Sequence, residues 1–149
     1  EDVMFGPKNF GFSNEEAENN AINALKKVKM DNFIEKPPHH LSFGQKRKVA
    51  IASVLASEPE LLVLDEPSSN LDPASRRELI EILKSLEISL ILVTHDLPMA
   101  LEICERSIIL NNGKITTDMK TYEILKDKKI MEENRLELPY GFALHHLEE

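Results

Sequence analysis

The sequence has no tryptophan and a single cysteine, Cys104, in 149 residues. One thiol excludes an internal disulfide framework, and its place in the apolar stretch "LPMALEIC" makes it a core residue rather than a nucleophile or metal ligand. No apolar run approaches the roughly 18 residues of a membrane-spanning helix, and no signal-peptide pattern is present. Basic residues are outnumbered, 18 Lys and Arg against 26 Asp and Glu, for a net charge of -8 without a long basic run. That balance argues against nucleic acid or an anionic membrane surface as the main partner. These absences suit a reducing, cytosolic compartment. Glycine is scarce too, so any glycine-rich loop must draw on Gly6, Gly11, Gly44, Gly113 and Gly141.

What is present reads as alternating helices and strands. The length suits one domain, able to bury about 70% of its unfolded surface. The chain starts at Glu1 without an initiator Met, which reads as a piece of something longer. "SNEE" has capping-box form, with Ser13 as N-cap and Glu16 reciprocating, and Ala17, Ala21, Leu25 and Val28 recur at helical spacing, predicting a helix over about 14–30. "EKPPHH" ends regular structure. A second box, Ser42 with Gln45, opens the helix-forming stretch "KRKVAIASVLAS", which stops near Pro59. Residues 61–65 form a continuous apolar strand of the kind buried on both faces of a parallel sheet.

Asp72 followed by Pro73 predicts an N-cap with Pro at the first helical position, opening a helix to about 86. "ISLILV" is a second strand and "HDLPMALEIC" a short helix capped by Asp96. "SIILNNGKITT" is a hairpin turning at Asn112 and Gly113. One helix, "TYEILKDKKIMEEN", closes the regular part, and 136–149 is a tail. The order implies an α/β fold with a partly parallel sheet flanked by helices. Ligands in such sheets bind beyond the carboxyl ends of the strands, where Asp65, Glu66 and His95 are expected to face one site.

Three segments carry chemistry. An Asp at a strand end can hold Mg²⁺ through water, and a neighbouring Glu can polarise the water that attacks a γ-phosphate. On its own a "DE" pair is as well explained as a solvated strand end. Here "LLVLDEPSSNLDP" extends it into a long, specific string. "LSFGQ" offers the Ser42 hydroxyl, the open backbone of Gly44 and a helix N-terminus, a set that suits a phosphate but also describes an ordinary cap. His95, where a strand gives way to a helix, can donate to a phosphate oxygen.

In series, these segments resemble the nucleotide-binding subunit of ATP-binding cassette (ABC) proteins. "LSFGQ" is similar to the family signature LSGGQ, "LLVLDEP" to its Walker B motif, "SSNLDP" to its D-loop and "VTHD" to its H-loop. "EDVMFGP" with "PPHHLSFGQKRKVAIA" looks most like the cobalt/nickel and vitamin energy-coupling factor (ECF) branch. The resemblance implies the C-terminal part of a P-loop ATPase domain. Residues 1–57 would then belong to a helical signature subdomain, 58–135 to the C-terminal half of the core and 136–149 to a tail. It further implies an intact protein that dimerises head to tail on the cytoplasmic face of the cell membrane, docked on transmembrane subunits and binding no nucleic acid. Ser42, Gly44 and Gln45 would close over ATP held by the partner, with Asp72 linking the two sites. Asp65 would help hold Mg²⁺, Glu66 would be the general base, and His95 would contact the γ-phosphate.

The sequence departs from this pattern twice. Phe43 replaces the first signature glycine. More importantly, no phosphate cradle is found. "GPKNFGFS" has Gly6, Gly11 and Ser13 at the right separations, but Phe12 stands where Lys is required and Pro7 removes a backbone donor. The expectation is a chain that lacks Walker A and Q-loop and is inactive alone. Two other classes remain open. A soluble ABC ATPase of DNA repair or chromosome maintenance would show long heptads and DNA affinity at about 150 mM salt. A non-catalytic half-subunit would lend its signature to a partner with an intact cradle. His39 and His40 read as helix-flanking polar residues, since no Cys or carboxylate stands at ligand spacing to support them, and His145 and His146 fall in the tail.

Overall fold

The computed structural model describes residues 1–139. They divide into two compact units, one spanning Glu1–Val93 and one beginning at Thr94.

In the first unit, a 3-10 turn at Asp2–Met4 leads into α1 (Phe5–Asn9) and α2 (Asn14–Lys27). The expected box opens α2: Ser13 Oγ accepts from Glu16 N at 3.2 Å, and Ser13 N donates to Glu16 Oε2 at 2.8 Å. The Ser13 hydroxyl, followed by its backbone N–H, holds the Glu16 carboxyl below its ordinary pKa. The helix ends short of residue 30, because Lys29 turns left-handed at φ +57. Met30 N then bonds Leu25 O at 2.8 Å and Lys29 N bonds Lys26 O at 3.0 Å, a Schellman closure without its usual glycine.

Next come α3 (Phe43–Leu55), β1 (Leu61–Asp65), α4 (Pro73–Ser85) and β2 (Ser89–Val93). β1 and β2 pair in parallel, Leu61 opposite Ser89 through Asp65 opposite Val93, with α4 as the crossover. The apolar stripe of α4, Leu79, Ile80, Ile82 and Leu83, is buried. The expectation that β1 is covered on both faces does not hold. Leu62 is 1% exposed, but the alternate side chains Leu61, Val63, Ile91 and Val93 are 46–57% exposed. A pleated strand sends successive side chains to opposite faces, so helices on one side bury only every second residue. We expect this uncovered apolar face to drive self-association of the chain, and Val63→Thr combined with Ile91→Thr, which keeps β-branching, to weaken that association by about tenfold. Sedimentation at several concentrations checks this, and an unchanged association constant would dismiss the exposed face as its cause.

The second unit contains α5 (Leu97–Ile103), the antiparallel hairpin β3 (Arg106–Asn111) and β4 (Lys114–Lys120), then α6 (Thr121–Lys126) and α7 (Lys128–Glu133). Asn112 and Gly113 both adopt positive φ, as a tight hairpin turn requires. Ile124, Leu125 and Met131 form a core against which Leu97, Leu101 and Ile109 pack. Cys104 is half-buried and its thiol pKa is raised by burial, consistent with a packing role. The single helix expected over 121–134 is two helices. Asp127 leaves helical geometry and caps α7, accepting from Lys129 N at 2.9 Å and Ile130 N at 3.1 Å. Among the described residues no helix is long and apolar enough to cross a membrane. His145, His146 and the tail from residue 140 lie outside the described residues.

Candidate functional site

β1 delivers Asp65 to its carboxyl end with an exposed side chain. Glu66 follows, and its N–H donates to Val93 O at 2.8 Å, so the parallel ladder continues one residue past the strand. Holding that bond while turning the chain puts Glu66 at φ +45, a left-handed conformation in a residue with a side chain. Such a conformation costs about 1 to 3 kcal/mol and persists only where its surroundings enforce it. The Glu66 Oε2 atom is shielded from solvent. Buried Pro67 and two turns, Ser69 N to Glu66 O and Leu71 N to Ser68 O, both 3.2 Å, carry the chain to Asp72.

Asp72 caps α4 with both carboxylate oxygens. Oδ1 accepts from Ala74 N at 3.1 Å and Ser75 N at 3.0 Å, and Oδ2 accepts from Ser75 Oγ at 2.6 Å. The Ser75 hydroxyl, followed by its backbone N–H, holds the Asp72 carboxyl below its ordinary pKa. Asp72 is therefore an anion throughout the neutral range, fixed in direction by its own helix.

The Ser42–Gln45 turn lies against this helix. Ser42 Oγ accepts from Gln45 N at 3.3 Å and Ser42 N donates to Gln45 Oε1 at 3.0 Å, the reciprocal cap that the sequence predicts. A Cβ on Gly44 would sit 2.9 Å from Ser75 Oγ, 3.1 Å from Ser75 Cβ and 3.7 Å from a Leu71 methyl. Gly44 is thus required by the close approach of α3 to α4. We expect Gly44→Ala to destabilise the chain by about 1 to 2 kcal/mol despite its better helix propensity, since overpacking outweighs the propensity gain. Ser75→Gly in the same chain should recover much of the loss in melting temperature, and failure to recover would place the clash elsewhere.

A small polar cavity of about 140 Å³ opens between the two helices, lined among others by Ser42, Gly44, Gln45, Leu71 and Ser75. Deeper along it, Lys48 Nζ lies 3.0 Å from Glu78 Oε2. At its rim the Arg47 guanidinium sits 5.5 Å from the centroid of the Phe43 ring, which is 52% exposed. The structure therefore brings Ser42, Gly44 and Gln45 together with the helix that Asp72 caps. Lys48, Ser75 and Glu78 were not singled out from the sequence. Their signal was helical phase: Lys48 stands one turn beyond Gly44, and Glu78 one turn beyond Ser75.

His95 belongs to the second unit and is exposed. Its carbonyl accepts from Leu97 N at 3.0 Å, and Asp96 beside it caps α5 by accepting from Met99 N at 3.0 Å, as expected. The "GPKNFGFS" segment does not form a phosphate loop. Residues Phe5–Asn9 are helical, and a Cβ on Gly6 would meet Ser57 Oγ at 2.7 Å, so that glycine serves helix packing. Among the described residues no group of three or more His, Cys, Asp or Glu is placed to hold a metal ion.

Comparison with known proteins finds relatives of this chain. The family model for "AAA domain, putative AbiEii toxin, Type IV TA system" matches residues 6–102. A putative ABC transporter ATP-binding protein of Streptomyces avermitilis is 59% identical over 142 residues, covering 95% of this chain and 54% of the relative. The energy-coupling factor transporter ATP-binding protein EcfA2 of Mycoplasmopsis pulmonis is 45% identical over 142 residues, 93% of this chain and 47% of its own. Among solved structures, CbiO1 of Clostridium perfringens, part of the ABC transporter complex CbiONQ, superimposes with a TM-score of 0.75 at 35% identity, covering 92% of this chain and 56% of that one. The chain spans about half the length of the curated relatives it matches.

Proposed function

This chain belongs to the family of ABC transporter ATP-binding proteins, and from that premise we propose that the intact protein hydrolyses ATP to drive uptake of cobalt, nickel or a vitamin. It works as a head-to-tail dimer of ATPase subunits, peripheral on the cytoplasmic face of the membrane and docked on transmembrane partners. The ECF assignment draws on the relatives named for that transporter class and on the resemblance of the opening segment. The observation that carries the ATPase reading is the α3 N-terminus lying against the Asp72-capped helix.

The residues fit a phosphate-bearing substrate. The Ser42 oxygen accepts from Gln45 N, which leaves its O–H free to donate to a phosphate oxygen. The Phe43 and Gly44 N–H groups stand in the first helical turn, where no intrahelical acceptor exists, and the helix dipole favours an anion there. The exposed Asp65 carboxylate fits a water-mediated ligand to Mg²⁺, which when bound neutralises charge on the phosphoryl group being transferred. Glu66 takes the proton of the attacking water, and His95 donates to the γ-phosphate. Asp72, held anionic by Ser75, is the group that connects the site on one subunit with that on the other.

Sedimentation of the intact Glu66→Gln protein tests this reading. A dimer that forms only with Mg-ATP supports it, and a monomer at saturating Mg-ATP overturns it.

A further inference from the structure

We propose that Lys48 and Glu78 are positioning residues for this ATPase site, their ion pair fixing how α3 lies on α4. The Ser42–Gln45 turn and the Asp72 cap are thereby presented as one rigid edge. The inference rests on the ATPase reading. Lys48 Nζ and Glu78 Oε2 are 3.0 Å apart, and the bond joins residues 30 positions apart in sequence. The Lys48 side chain is 11% exposed and that of Glu78 38%. Lysine is rarely buried to this depth unless an anion meets it.

The location gives the pair its role. Gly44 and Ser75 form one point of close approach between the helices. Lys48 and Glu78 form a second, one turn further along each helix and on the wall of the same cavity as Ser42, Gln45 and Leu71. One contact point leaves two helices free to pivot, whereas two points fix their relative rotation and slide. Ser75 is bonded to Asp72 Oδ2 at 2.6 Å, so displacing α4 moves the Asp72 carboxylate relative to the Ser42 hydroxyl. Both groups act across the subunit interface, where orientation decides whether reacting groups meet, and a misplacement of about 1 Å can cost 100-fold in rate. An ion pair serving stability alone would change how much protein folds and leave the turnover of each folded molecule intact.

The test uses steady-state Mg-ATPase kinetics and melting temperature of the intact protein, for Lys48→Met, Glu78→Gln and the reversed pair Lys48→Glu with Glu78→Lys. Each single variant should lower kcat about 10- to 100-fold, with KM for ATP changed less than about threefold. The reversed pair should regain most of that kcat. If Lys48→Met does not fold, Glu78→Gln carries the test, because the 38% exposed position 78 tolerates a neutral side chain of the same size while the charge of the pair is lost. Folded single variants with wild-type kcat overturn the proposal, as does a kcat loss that the reversed pair leaves in place. Glu66→Gln, measured alongside, separates the two claims. If it abolishes turnover while the Lys48 and Glu78 variants do not, only the positioning role falls. If it turns over normally, only the role of Glu66 falls; if the unsubstituted intact protein shows no Mg-dependent ATP turnover, the ATPase reading falls and takes this one with it.

Discussion

Glu66→Gln in the intact protein is expected to lower kcat for ATP hydrolysis by about 10² to 10⁴, equivalent to roughly 3 to 5 kcal/mol of transition-state stabilisation. The amide is nearly isosteric and adopts the same backbone, so the turn through Pro67 and the ladder bond from residue 66 to Val93 O survive. What disappears is the ability to take a proton from the attacking water. KM for ATP should therefore change little, because the lost interaction exists only in the transition state. Turnover near wild type in a steady-state phosphate-release assay would remove Glu66 from the chemistry.

The second large effect concerns binding. Calorimetric titration of Mg-ATP into this 149-residue chain is expected to show no heat of binding up to millimolar ATP. The phosphate cradle of such sites supplies four or five charge-assisted bonds, worth about 1.5 to 3 kcal/mol each. Their loss amounts to about 6 to 15 kcal/mol, against the roughly 8 kcal/mol of micromolar affinity. The one stretch that imitates a cradle is helical and uses Gly6 to pack against Ser57. Micromolar binding would contradict this account and make Pro7, Gly11 and Phe12 the first residues to substitute.

Local chemistry was legible in the sequence where it is decided locally. Ser13, Ser42, Asp72 and Asp96 each cap the helix expected of them, because a cap needs only a short polar side chain and the amides two or three residues on. Asp127 caps in the same way but was masked, because it sits inside an apolar periodic stretch that runs straight across it. The helix end at Lys29 was hidden for a different reason: it closes with a left-handed residue that is not glycine. The candidate site segments stood out because an apolar strand, two carboxylates and a capped helix follow one another without a gap. Contacts that span the chain had no such mark. The fit of Gly44 against Ser75 and the bond from Lys48 to Glu78 depend on the crossing of two helices, which no local pattern encodes.

The left-handed backbone at Glu66 also sets directed evolution for heat resistance against activity. Glycine adopts that conformation without the penalty a side chain incurs, so a screen that rewards folded protein alone is drawn toward Glu66→Gly. On the proposed mechanism the same exchange deletes the base. Thermostable variants of this protein gathered without an activity gate should thus be enriched in inactive ones at this position.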